Sequence, residues 1–96
     1  MMSGMPVDLG KVNKKDLDKE ILRVGLIAEL DAVSLYEQLA SMASDESLKK
    51  VILEIAKEEK THIGEFQSLL LKLDKEQVAE LKSGEKEADD ILQRNR

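Results

Sequence analysis

Residues 46–73 decide the fold; they read ESLKKVILEIAKEEKTHIGEFQSLLLKL. Apolar side chains in this stretch recur at alternating intervals of four and three residues, as expected for one face of an α-helix. No proline interrupts the stretch, and the preceding Ser44 and Asp45 are residues that cap helices. We therefore predict a helix over 46–73. Its seam consists of Leu48, Ile52, Ile55, Glu59, His62, Phe66, Leu69 and Leu73.

A second seam of the same period lies earlier in the chain. Between Lys14 and Ala43 there is no proline and a single glycine, Gly25, while Asn13 offers an N-cap. We predict a helix over 14–43 that pairs with the first as an antiparallel hairpin. Its seam consists of Leu22, Leu26, Glu29, Val33, Tyr36, Ala40 and Ala43.

The remaining segments are short. Residues 1–12 contain proline and glycine without a period, so we predict a flexible N-terminal segment. Asp74 and Gln77 resemble a capping box, which predicts a short helix near 75–82 that Gly84 ends, within a short C-terminal helical segment over 75–95. No alternating strand pattern occurs. The predicted fold class is all-α, in one domain over residues 1–96.

The composition excludes several classes of function. The chain has no cysteine, so thiolate zinc sites, iron–sulfur clusters and disulfides are excluded. The net charge of −5 argues against a nucleic-acid partner, and no apolar run is long enough to span a membrane. The first residues lack the apolar stretch of a secretory signal, so we expect a cytoplasmic protein. Any chemistry that needs histidine must use the single histidine, His62.

Three seam positions are polar, and they lie at one level of the hairpin. Glu29 is about as far from the predicted turn near residue 45 as Glu59 and His62 are. Gly25 and Gly64 lie near the same level, each at a cost of about 1 kcal/mol relative to alanine. A close approach of backbone or ligand would explain these glycines. An equally good explanation is that the helices merely tolerate them.

Glu59-Lys60-Thr61-His62 is a Glu-x-x-His motif that places a carboxylate and an imidazole on one helix face. A di-metal carboxylate site in a four-helix bundle uses one Glu from each of two helices and Glu-x-x-His from each of the other two. With Glu29, this chain supplies half of that set, and a symmetric dimer would supply the whole. Four carboxylates in an apolar seam need counter-charge, which two divalent cations would provide. Iron, manganese and zinc all suit these ligands.

Other interpretations of single residues stay open. His62 by itself could be a core histidine, and Tyr36 could be a core tyrosine, a hydrogen-bond partner beside the metals or an electron donor. Off-seam glutamates with lysine neighbours are expected to be solvated surface, while Asp31 is close enough to Glu29 to help attract cations. These glutamates are Glu37, Glu54, Glu58 and Glu65.

The sequences IAELDAVSLYEQLA and AKEEKTHIGEF resemble those of the encapsulated ferritins, ferritin-like proteins housed inside encapsulin shells. The resemblance implies two hairpins that form a four-helix bundle, with a di-iron ferroxidase centre shared between the two subunits. It implies that Glu29, Glu59 and His62 of both chains bind iron, that Glu59 bridges the two ions, and that Tyr36 lies beside the centre. These four residues would be the catalytic residues. It further implies a decameric ring of dimers, an encapsulin shell partner in the cytoplasm and O₂ as oxidant.

This sequence departs from the family pattern in three places. Some relatives carry carboxylates at the positions of Ala28 and Asp31, where they form an outer metal-uptake site. Here only Asp31 is acidic, so that site is at best partial. Leu35 stands where some relatives have an aromatic residue. The last residues, ILQRNR, lack an apolar targeting peptide, which fits a shortened chain or a domain fused to the shell protein. A rubrerythrin-like di-metal peroxidase and a structural oligomerisation module without redox chemistry remain alternatives to the ferroxidase.

Overall fold

The computed structural model describes residues 8–94, and all their regular structure is helical. Two 3₁₀ turns, Leu9–Lys11 and Lys14–Asp16, precede three helices: α1 (Leu17–Met42), α2 (Glu46–Leu73) and α3 (Lys75–Arg94). α1 and α2 pack along their length as a hairpin, whereas α3 contacts the hairpin near its own beginning. The prediction of an all-α hairpin with a C-terminal helix is confirmed.

Two of the three predicted helix starts are capped by the expected side chains. Asp45 accepts a hydrogen bond from the Leu48 N–H at 2.8 Å, and Asp74 accepts one from the Gln77 N–H at 3.0 Å. The prediction that Asn13 caps α1 is wrong, because Asn13 precedes the turn Lys14–Asp16 and makes no side-chain cap. Of the segment predicted to be flexible, residues 1–7 lie outside the described residues, and Leu9–Lys11 form a turn.

The predicted break at Gly84 does not occur, since α3 continues through it to Arg94. A lone glycine costs a helix only about 1 kcal/mol, and here helix-favouring residues flank it. The salt bridge between Lys86 Nζ and Asp90 Oδ2, at 2.9 Å, supports the turn that follows. Without proline or a capping sequence, the glycine is tolerated and the helix does not end.

Within one chain, only part of each apolar seam is covered. Four apolar side chains of the described residues are buried: Leu22, Ala40, Ala56 and Leu70. Three seam leucines of α2 remain about half exposed: Leu48, Leu69 and Leu73. The buried residues Ala56 and Leu70 lie to one side of that seam. The seam of α2 therefore faces partly toward α1 and partly toward an open face of the hairpin.

Gly25 and Gly64, which the sequence places at one level, have different surroundings. A β-carbon on Gly25 would lie 2.7 Å from Cε1 of Phe66, closer than a real β-carbon allows, whereas one on Gly64 would meet nothing within 4 Å. The close-approach interpretation therefore holds for Gly25, and Gly64 is a tolerated glycine on an open helix face.

Among the described residues, no helix combines the length and the apolar character needed to cross a membrane.

Candidate metal centre

Glu29 on α1 faces Glu59 and His62 on α2, so the structure brings the three polar seam residues together. Nδ1 of His62 lies 3.5 Å from Oε2 of Glu29 and 3.5 Å from Oε2 of Glu59. One ligand atom from each of the three side chains lies within 4.8 Å of the others. Atoms this close can all bind one cation.

The two carboxylates are largely removed from solvent, and the imidazole stands at the rim. The side chains of Glu29 and Glu59 are each 18% exposed, whereas that of His62 is 45% exposed. Oε2 of Glu29 is buried and accepts no hydrogen bond. A buried acceptor without a donor costs about 1–3 kcal/mol, so the site fits a ligand that supplies positive charge to this oxygen.

The titration behaviour of the cluster reflects crowded negative charge. The Glu59 carboxyl, which can accept a hydrogen bond from the protonated form of Glu29, raises the pKa of Glu29, and burial and the negative charge of Glu59 raise it further. Partial desolvation lowers the pKa of His62, but attraction to Glu29 and Glu59 outweighs it and leaves that pKa raised. Each ligand needs a lone pair free of a proton, so a metal ion and protons compete for this cluster.

Tyr36, predicted to lie beside the centre, follows Glu29 by seven residues on α1, which is ~10 Å along the helix axis. It is half-buried, and within the described chain no hydrogen bond or ion pair joins it to the three-residue cluster. The neighbouring Glu37 forms an ion pair with Lys60 at 3.0 Å, as expected for a solvated glutamate. The role of Tyr36 stays a prediction.

One exposed residue borders the cluster. Glu65, predicted to be solvated surface, is exposed, and it lines an open depression together with Glu29 and His62. Phe66 and Leu69 complete the lining, and the depression measures about 300 Å³. The sequence predicts this proximity, since Glu65 follows His62 by three residues and such positions are neighbours on a helix surface.

A carboxylate on one helix that faces Glu-x-x-His on the next is half of the ligand set found in ferritin-like di-metal proteins. Comparisons with known proteins agree, since residues 20–92 match the family described as rubrerythrin. The chain therefore belongs to the rubrerythrin family, whose members generally bind a pair of iron ions.

Two relatives are similar in sequence. A ferritin-like–encapsulin shell fusion protein of Pyrococcus furiosus is 56% identical over 72 residues, which is 75% of this chain and 21% of that protein. The encapsulin nanocompartment cargo protein EncC of Myxococcus xanthus is 34% identical over 74 residues, which is 74% of this chain and 57% of that protein. The chain thus spans about a fifth of one relative and somewhat over half of the other.

A solved structure shares the fold. The crystal structure of the encapsulated ferritin domain from Pyrococcus furiosus superposes with a TM-score of 0.80 at 48% sequence identity, covering 94% of each chain. The resemblance to encapsulated ferritins and the ferritin-like fold class are thereby confirmed.

Proposed function

We propose that this protein is a ferroxidase, which oxidises Fe(II) to Fe(III) with O₂ at a site that Glu29, Glu59 and His62 form in two copies of the chain. The observation that carries the proposal is the buried Oε2 of Glu29, which has no hydrogen-bond donor and lies 3.5 Å from the imidazole of a Glu-x-x-His motif. Such an oxygen is stabilised by a cation, and the family to which the chain belongs generally binds iron.

The proposal requires two chains because one chain supplies too few ligands for two ions. A di-iron bundle site needs four carboxylates and two imidazoles, and each chain contributes two carboxylates and one imidazole. The seam leucines Leu48, Leu69 and Leu73 lie on the open face of α2 and are about half exposed. A second hairpin on this face would bury them and complete the site. We extend the proposal to a decameric ring of such dimers, as the resemblance implies.

In this proposal iron is the substrate, and the protein's residues hold and stabilise it. Glu29 and Glu59 provide negative charge, with Glu59 bridging the ions, and neutral His62 donates a nitrogen lone pair. Closely placed carboxylates stabilise Fe(III) more than Fe(II), since the attraction grows with the ion's charge, and this favours loss of an electron. Each Fe(II) gives up one electron, so two ions and two protons reduce one O₂ to hydrogen peroxide. We assign Tyr36 to the surroundings of this centre, as a hydrogen-bond partner or an electron donor.

The names of the two relatives support a location for this chemistry. One is described as fused to an encapsulin shell and the other as cargo of an encapsulin nanocompartment. We place the present protein inside such a compartment in the cytoplasm, with the shell protein as its partner. A ring of hairpins encloses no storage cavity, so Fe(III) mineral would accumulate in the surrounding shell.

Oxygen uptake after anaerobic loading with Fe(II) tests the proposal. We expect rapid uptake by the wild type, and rates near the uncatalysed background for His62→Ala and Glu59→Gln. Glu58→Gln is the matched control, because it removes a charge from the adjacent, exposed position of the same helix. Equal rates in the wild type and His62→Ala would contradict the site assignment.

The match to the rubrerythrin family favours one further candidate, a di-metal peroxidase that uses the same ligands. Comparing the rates at which O₂ and hydrogen peroxide oxidise bound Fe(II) separates the two. A ferroxidase reacts with O₂ at least as fast as with peroxide, whereas a peroxidase reacts much faster with peroxide. The third alternative, a structural module, predicts no accelerated oxidation by either.

A further inference from the structure

The three proposed ligands come together within a single chain. Nδ1 of His62 lies 3.5 Å from Oε2 of Glu29 and 3.5 Å from Oε2 of Glu59. Two ligand atoms of a tetrahedral ion, with bonds of about 2.1 Å, lie about 3.4 Å apart. One chain therefore holds three ligand atoms at distances that suit one cation, and water can complete the coordination of such an ion.

The hairpin sets these distances without a partner. α1 and α2 pack along their length, and the ring of Phe66 lies against Gly25 one turn away from the ligands. Within the lone chain, Oε2 of Glu29 is already buried and accepts no hydrogen bond from a described residue. The need of this oxygen for positive charge thus arises in the lone chain and does not depend on dimer formation.

The route to the cluster differs between the lone chain and the dimer. In the lone chain His62 stands at the rim of an open depression, so a cation reaches the cluster directly from solvent. The second hairpin of the proposed dimer would cover this face. An ion that enters after dimer formation has to pass between two packed hairpins, whereas an ion that binds earlier does not.

Charge favours the same order of events. Each chain contributes two carboxylates to the centre, so two metal-free chains bring four negative charges together as they associate. A divalent cation bound to each chain cancels the charge of its two carboxylates. Two loaded chains therefore associate without the repulsion that opposes two metal-free chains.

We propose that each chain binds one divalent cation with Glu29, Glu59 and His62 before it meets a partner, and that the di-metal centre forms when two loaded chains associate. This inference rests on the proposed function, because it assigns the order in which the same site is loaded and completed. Each Fe(II) supplies one electron, and reduction of O₂ to hydrogen peroxide takes two electrons and two protons. Association of two loaded chains therefore controls oxidation, since it brings the second Fe(II) to the first.

Native mass spectrometry of the wild type in the absence of O₂ tests the order. Mn(II) is the probe, added in less than one equivalent to protein dilute enough for the metal-free chain to be monomeric. We expect monomers that carry one Mn(II) and dimers that carry two. Mn(II) found in dimers only would overturn the proposal, and so would a dimer that persists without metal at every dilution.

A variant that cannot pair separates metal binding from association. Leu48→Asp adds a charge to the open face of α2, eleven residues and ~16 Å along the helix from Glu59. We expect it to stay monomeric in sedimentation experiments and to bind one Co(II) per chain in absorption titrations. Leu53→Asp, the same change at a leucine of similar exposure off the seam, is the matched control and should still form metal-loaded dimers. A folded, monomeric Leu48→Asp that binds no Co(II) would contradict the proposal.

The dependence of oxidation on protein concentration gives a third readout. At a fixed ratio of Fe(II) to protein, in the range where the metal-free chain is monomeric, doubling the protein concentration should raise the initial rate of oxygen uptake about fourfold, because two loaded chains must meet. A rate that only doubles would mean that oxidation does not wait for association, which would also contradict the proposal.

The loading order and the ferroxidase proposal fail in different ways. Monomers that bind one Mn(II) and then form dimers with two, in a protein that does not accelerate Fe(II) oxidation, would contradict the ferroxidase and support the loading order. Conversely, fast Fe(II) oxidation by a protein whose monomers never carry metal would support the ferroxidase and contradict the loading order.

Discussion

The ring of Phe66 rests on Gly25, where a β-carbon would lie only 2.7 Å from Cε1 of the ring. Phe66 follows His62 by one helical turn, and Gly25 precedes Glu29 by one turn. The absence of a side chain at Gly25 therefore lets α1 and α2 approach closely beside the proposed metal ligands. This contact sets the spacing across which Glu29 meets Glu59 and His62.

Gly25→Ala is expected to destabilise the protein although alanine favours helices. The added methyl group forces the Phe66 ring to move, at a cost of about 1–3 kcal/mol, which exceeds the gain of about 1 kcal/mol in helix propensity. Thermal unfolding should show a lower Tm, and Co(II) titration should show weaker binding. Gly64→Ala is the control, since no atom lies within 4 Å of its added β-carbon. It should raise stability by about 1 kcal/mol, and a similar gain for Gly25→Ala would refute the spacing role.

Divalent metal is expected to strengthen dimer formation. Without metal, a dimer brings four carboxylates together, and the repulsion between them opposes assembly. Native mass spectrometry under anaerobic conditions should show the dimer fraction rising on addition of Fe(II) or Mn(II). Glu59→Ala should abolish this dependence, while Glu58→Gln retains it. A dimer fraction that does not change with metal, in a protein whose ligands are intact, would contradict the coupling between metal binding and dimer formation.

Without metal, the negative charge of Glu29 is expected to lower the stability of the folded protein. Glu29→Gln replaces a largely buried carboxylate, whose Oε2 accepts no hydrogen bond, with a neutral amide, so the variant should be more stable than the wild type in the presence of a chelator, by about 1–3 kcal/mol. With Mn(II) present the order should reverse, because the variant lacks a charged ligand. Thermal unfolding with chelator and with Mn(II) measures both effects. A lower stability of Glu29→Gln under chelator would show that the carboxylate is satisfied without a cation.

The sequence predicted the hairpin and the proximity of Glu29, Glu59 and His62 because both depend on helical periodicity. The interval of three residues places Glu59 and His62 on one face, and an equal distance from the turn places Glu29 opposite them. Side-chain packing is not periodic in this way. The sequence could not distinguish Gly25 from Gly64, since the difference is the position of one ring of Phe66.

The C-terminal part was predicted less well for a related reason. Gly84 ends no helix here because the penalty of one glycine is small compared with the summed preference of its neighbours. The role of Asp74 as cap could be predicted from its spacing to Gln77, but its partner Arg23 is distant in sequence. Contacts between residues so far apart follow from the three-dimensional packing of the helices and leave no local pattern.

Asp74 is the single non-helical residue between α2 and α3, and its two oxygens serve different partners. Oδ1 accepts from the Gln77 N–H at 3.0 Å, and Oδ2 accepts from Nη2 of Arg23 on α1 at 2.9 Å. The Gln77 N–H and the Arg23 guanidinium both lower the pKa of Asp74. The stabilisation is therefore fully present above the ordinary aspartate pKa, and it is lost as the pH falls through the lowered value of the folded state.

Acid should consequently loosen α3 from the hairpin, at a pH below the ordinary aspartate pKa of 3.8. Asp74→Asn keeps an oxygen for the cap but removes the charge that binds Arg23, so amides near the beginning of α3 should exchange faster at neutral pH. The same amides should lose the acid dependence. Hydrogen exchange followed by mass spectrometry between pH 2.5 and ~6 measures this. Asp90→Asn, which removes the pair with Lys86 inside α3, is the control and should retain the acid dependence at the α2–α3 joint. An unchanged acid dependence in Asp74→Asn would place the titrating group elsewhere.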